Sequence, residues 1–165
     1  MTAMMILLAF AATPEDAKLE AFFKAYLDKL CATRPAAATQ MGEHKFDHLL
    51  DDLSPEGVKK RDTLDGDTLA ALRKGVDKDK LSRPAQIDFE ILEHSLKYGV
   101  WMTENARTLE ENPLAYNELI SDSVYLLFTQ STLPKARNVR NAAQRIAAIP
   151  AVLAAAKRLL KSPPR

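Results

Sequence analysis

The chain holds a single cysteine, Cys31, among 165 residues, so it closes no disulfide within itself. Glycine is scarce too, at five residues, which argues against a turn-rich all-β design. Neither sign of charge prevails: 23 Lys and Arg stand against 22 Asp and Glu, a net charge of +1. Without a basic excess, an extended nucleic-acid surface is not expected. No phosphate-cradling glycine loop, convincing strand alternation or fixed-period repeat occurs along the chain. What remains, 47% hydrophobic and 27% charged, is an ordinary globular mixture. A chain of this size hides roughly 70% of its unfolded surface, enough for a real core.

Met4 to Ala12 is an unbroken apolar run ending in small residues. It matches the apolar region and cleavage site of a secretory signal peptide and is too short to span a bilayer. The basic start of such a peptide is missing, since Met1, Thr2 and Ala3 carry no side-chain charge. Residues 1–12 are therefore expected to be an export signal and 13–165 the helical region. The competing expectation is an apolar turn packed on the domain.

Helix signals follow. Thr13-Pro14-Glu15-Asp16 combines a capping residue, a proline for the first helical position and two acids for the positive end of the dipole. Leu19, Phe22, Phe23, Tyr26, Leu27 and Leu30 recur at helical period, up to Arg34-Pro35. Ala36 to Asp52 reads as irregular. Ser54-Pro55 starts a charged helix that Asp65-Gly66-Asp67 is expected to interrupt, and Gly75 to Lys80 reads as a loop. Ser82 and Pro84 open a helix predicted to run to Glu111, with Ile87, Ile91, Leu92, Leu96 and Val100 inward. Asn117 to Gln130 is a shorter one, with Leu119, Ile120, Val124, Leu127 and Phe128 inward. The last carries Val139, Ala142, Ile146, Ile149, Leu153, Ala156 and Leu160, with Pro150 expected to kink or break it. The prediction is an all-α fold of about five or six helices joined by short connections.

Few residues suggest chemistry. His44 and His48 stand at a spacing zinc uses on a helix, but Lys45 occupies the place of the glutamate base that a zinc-peptidase motif requires. A polar turn is the better expectation. His94 reads as exposed or structural, and Cys31 as a small buried hydrophobe. Tyr98, Trp101 and Tyr125 are candidates for a cleft or for the core. Lys59, Lys60 and Arg61, balanced by Asp62 and Asp65, read as a solvated face.

Taken in order, several segments form a pattern. They are Phe22–Leu27, the run Pro35-Ala36-Ala37-Ala38-Thr39-Gln40-Met41-Gly42-Glu43-His44-Lys45-Phe46-Asp47, Asp52–Pro55, Asn112–Tyr116, Arg145–Pro150 and Pro163-Pro164. This series resembles the N-terminal part of the DUF885 proteins, a bacterial family described as of unknown function. The spaced Pro, Thr, Gly, His, Phe and Asp of the long run are its most specific piece. The resemblance implies a longer, largely helical, exported (periplasmic or extracellular) protein. Family members carry an HExxH-type zinc motif well beyond this region, and are taken to be metallopeptidases or amide hydrolases of peptides or small amides. No HExxH occurs in these residues. Zinc is thus expected for a full-length member and no cofactor or catalytic residue for this chain, which would be inert alone. Gly42, His44, Phe46 and Asp47 are the substrate-cleft candidates. They also have a structural reading: Gly42 permits a tight turn, Phe46 anchors it, and Asp47 bonds backbone N–H groups. The alternative function is a stand-alone helical binding or scaffold module without activity.

Overall fold

The computed structural model describes residues 12–161; the signal-like stretch from Met1 to Ala11 lies outside them. Among the described residues there are seven α-helices and no strand: α1 (Pro14–Thr33), α2 (Pro35–Gln40), α3 (Pro55–Gly75), α4 (Arg83–Asn105), α5 (Thr108–Glu111), α6 (Pro113–Thr129) and α7 (Lys135–Leu159). A single 3-10 turn, Lys78–Lys80, lies between α3 and α4. The expected all-α class is the fold.

Proline stands in the first turn of α1, α2, α3, α4 and α6, where its missing N–H costs no helical bond. Thr13 and Asp16 form a reciprocal capping box on α1. Ser54 caps α3 by accepting from the Gly57 N–H, and the Asn112 side chain accepts from the Leu114 N–H at the head of α6. Ser82 makes no side-chain cap bond. Its own N–H donates instead to Asp16 at 2.9 Å, while the Asp77 N–H donates to Glu15 at 2.8 Å. Two acids at the start of α1 thereby hold the α3–α4 connection.

The described residues form two apolar centres. In the first, Leu19 of α1, Leu72 of α3 and Phe89, Leu92 and Leu96 of α4 close on one another with Val76 and Leu81. In the second, Leu53 and Tyr116 meet Val152, Ala155 and Ala156 of α7. The helix α2 touches both α1 and α6 and links the two halves.

Several local expectations are corrected. Asp65-Gly66-Asp67 does not interrupt α3, because Leu64, Asp65, Thr68 and Leu72 are all buried there. That burial outweighs the cost of about 1 kcal/mol for a helical glycine. A short helix, α2, occupies the start of the segment expected to be irregular. The helix predicted to reach Glu111 ends at Asn105, whose side-chain amide turns back to donate to the Trp101 carbonyl. The short α5 follows it, α6 begins at Pro113, before the expected Asn117, and α7 runs through the exposed Pro150 without a break. The inward faces also differ. Ile87, Ile91, Phe128, Val139, Ile146 and Leu153 are exposed, whereas Phe89, Asn138, Asn141 and Arg145 are buried.

Candidate functional site: a buried arginine hub beside an open cleft

The signature run folds into α2 and the turn after it. Gly42 has φ +85°, the left-handed backbone that suits glycine at a helix end. Its N–H donates to the Thr39 carbonyl and the Glu43 N–H to the Ala38 carbonyl, closing the end of α2. The chain then returns Asp47 beneath α2. Asp47 is 1% exposed and Thr39 is fully buried. The Thr39 hydroxyl donates to Asp47 Oδ1 at 2.7 Å, and His44 Nδ1 lies 3.1 Å from Asp47 Oδ2. The carboxylate thus fixes the imidazole with its proton on Nδ1.

From the opposite side comes Arg145 of α7, a fully buried guanidinium. Its Nε donates to the Leu49 carbonyl at 2.8 Å. Nη1 donates to the Ser123 carbonyl of α6, and Nη2 to the Pro35 carbonyl at 3.2 Å and to the Thr39 hydroxyl at 2.7 Å. One side chain therefore ties α7 to α6, to both ends of α2 and to the following loop. Burial pushes its pKa down from the usual arginine range, and the Asp47 and Asp51 carboxylates oppose that shift. Burial likewise raises the Asp51 carboxyl, against the Ala36 N–H that it accepts and the charges of Arg61, Arg34 and Arg145.

The four sequence candidates thus meet different surroundings. His44 and Asp47 are bonded to each other, Gly42 is exposed at the turn, and Phe46 is half-buried with the Lys45 ammonium 5.1 Å from its ring centre. Asp47 takes its bonds from a hydroxyl and an imidazole rather than from the backbone N–H groups expected of it. His44 and His48 lie on a turn, not on one helix face, and His48 is exposed. Among the described residues no three His, Cys, Asp or Glu side chains gather as a metal site would need. Cys31 is buried, and burial raises its thiol pKa, as suits a hydrophobe more than a nucleophile. Tyr98 and Trp101 are exposed and stacked with ring centres 6.5 Å apart, and Tyr125 is exposed on α6.

A second feature, an open cleft, lies elsewhere in the molecule. A cleft of about 550 Å³ opens between α1, α3, α4 and α5, with Leu159 of α7 at one end. Tyr26, Arg34, Arg61, Asp62, Asp65 and Tyr98 line it, and none of Gly42, His44, Phe46 and Asp47 does. Its wall is close-fitted at Gly99, where an added Cβ would overlap the Asp65 carboxylate. Asp65 is buried and accepts from the Tyr26 hydroxyl at 3.4 Å. In the sequence Arg34 reads only as a helix end, and Arg61 as a member of a solvated basic run. Arg145 opens the Arg145–Pro150 segment of the family pattern, and that membership is its one signal in the sequence.

These helices and this turn define a member of an all-helical bacterial family. A model of that family, "Bacterial protein of unknown function (DUF885)", matches residues 35–164, and the chain belongs to it. No curated protein matches the sequence. A solved structure described as "a putative lipoprotein of unknown function" from Shewanella oneidensis has the same fold, with a TM-score of 0.78 at 23% identity. The match covers 88% of this chain and 26% of the Shewanella one, so the chain spans about a quarter of that relative's length.

Proposed function

We propose that this chain is the N-terminal helical region of a longer, exported hydrolase of peptides or small amides, where it forms a wall of the substrate cleft and does no chemistry alone. The observation that carries the place of this chain in a longer protein is the pattern of apolar side chains left in water, while the hydrolase part rests on the family resemblance alone. On α4, Ile87, Ile91, Tyr98 and Trp101 are exposed along one stripe; on α7, Val139, Ile146 and Leu153 are exposed at every seventh position. Both are seams at the spacing that helices use to pack on other helices. Contiguous apolar surface of this kind marks an interface, and the rest of a longer helical chain is its natural cover. The length of the Shewanella relative supports that choice.

Export is supported by the signal-like start of the sequence and by the description of that relative as a lipoprotein. The zinc implied by the family resemblance finds no fitting donor set among the described residues, so any metal would be held by other parts of the protein. In this reading Gly42, His44, Phe46 and Asp47 act from beneath, holding α2 against α7 so that Arg34, at the junction of α1 and α2, is fixed at the cleft.

The test is the mass of the native protein, detected with an antibody to this chain. A species well above the 18.3 kDa of this sequence, which cleaves model peptides and loses that activity with a chelator, is expected. A native species of this mass or slightly less would overturn the reading in favour of a stand-alone helical scaffold.

A further inference from the structure

We propose that the cleft between α1, α3, α4 and α5 binds an organic carboxylate, gripped by Arg34 and Arg61. The proposal stands apart from the hydrolase reading, because binding is a property of these helices alone.

Both arginines line the cleft. The Arg34 Nε–H is buried with no hydrogen-bond partner. Leaving such a donor unpaired costs about 1–3 kcal/mol, more for a charged group. Arg73 pairs with Glu93, Arg145 makes the hub, and Arg158 donates to the Leu53 carbonyl, while Arg107, Arg137 and Arg140, which also make no side-chain bond among the described residues, are exposed to water. Arg34 and Arg61 have neither an ion pair nor a side-chain hydrogen bond among the described residues, and both are partly buried. Burial and then the like charge of Arg34 lower the pKa of Arg61, against the nearby Asp51 and Asp62 carboxylates, and the net shift is downward. An anion seated between the two guanidinium groups relieves both effects and supplies the missing acceptor.

The surroundings select the anion. Asp62, Asp65 and Glu110 line the same cleft against Arg34, Arg61 and Arg107, and Asp51 lies nearby. With acids at least as many as arginines around the cleft, a single negative charge is repelled less than a phosphate dianion. Leu30, Val58, Met102 and Leu109 supply apolar wall, which suits a carboxylate carrying a small apolar group, as at the end of a peptide.

The experiment follows the arginine side-chain Nε–Hε signals of the full chain in proton–nitrogen correlation spectra. The probe is N-acetyl-L-leucine, with N-acetyl-L-leucinamide and inorganic phosphate as comparisons. Expected are saturable shifts of the Arg34 and Arg61 signals with the acid and none with the amide. Arg34→Gln and Arg61→Gln should each weaken binding about tenfold or more, while Arg73→Gln leaves it unchanged. The absence of saturable shifts in the wild-type chain overturns the proposal, and so do equal shifts with the amide. Phosphate bound as tightly as the acid overturns the carboxylate assignment. The wild-type titration decides the matter even where a variant fails to fold.

Discussion

The Asp47 carboxylate and the Arg145 guanidinium stand 3.9 Å apart, with the Thr39 hydroxyl bonded to both. The hydroxyl gives its one proton to the carboxylate and takes one from the arginine, so the two charges compensate through it. A buried cation with four bonds is tolerable; the same cation with fewer is not.

Arg145→Ala removes the cation and leaves Asp47 buried with no counter-charge. Breaking a buried pair from one side costs about 3–5 kcal/mol. Urea unfolding of the variant should show a midpoint lowered to match, or no folded baseline at all.

His44→Ala probes the imidazole on the other carboxylate oxygen. Its side chain is 15% exposed, so water replaces part of the lost bond. A loss of about 1–2 kcal/mol in the same unfolding assay is expected. In a longer, active protein, turnover and affinity should change only as far as stability does.

Gly99→Ala forces a methyl group onto the Asp65 carboxylate. Overpacking of this kind costs about 1–3 kcal/mol. The penalty should shrink when Asp65→Ala is added, because the obstacle is then gone. A double-mutant cycle on thermal midpoints reads the coupling.

Acid should loosen the junction of α1 and α4 late. The Thr13 N–H, and then the Ser82 N–H, hold the Asp16 carboxyl down to about 2, from an ordinary 3.8. A carboxyl depressed in the folded state contributes stability that is whole above its unfolded pKa and fades as pH falls through the folded one. Asp16→Asn should therefore be less stable than the parent at neutral pH, with the gap narrowing from about pH 4 down to about 2. Denaturant titrations at several acidic pH values measure it.

Much of the fold was legible because its signals are local. Prolines and capping side chains mark helix starts in the sequence itself, and the stripe from Leu19 to Leu30 declares its period. The errors fell where distant burial decides. Gly66 looks like a break until Leu64 and Leu72 on either side of it are found buried. Ile87 and Ile91 look like core until Phe89 and Leu92 are found to be the face turned inward. The site was less legible still. The family-like run pointed to Asp47 and His44, but nothing near it announces a partner 98 residues further on at Arg145. Arg34 and Arg61 gain meaning only when α1 and α3 bring them to one cleft.

The reach of Arg145 also sets an order of events during synthesis. Its bond to the Pro35 carbonyl joins residues 110 apart. At the usual pace of translation, α2 and its turn wait roughly 5–20 s for their counter-charge. Through that interval Asp47 has only Thr39 and His44 to bond, and no arginine to face. A ribosome stalled before α7 would hold a nascent chain whose first apolar centre can close while its second cannot. Such a half-made product is a ready target for chaperones and proteases.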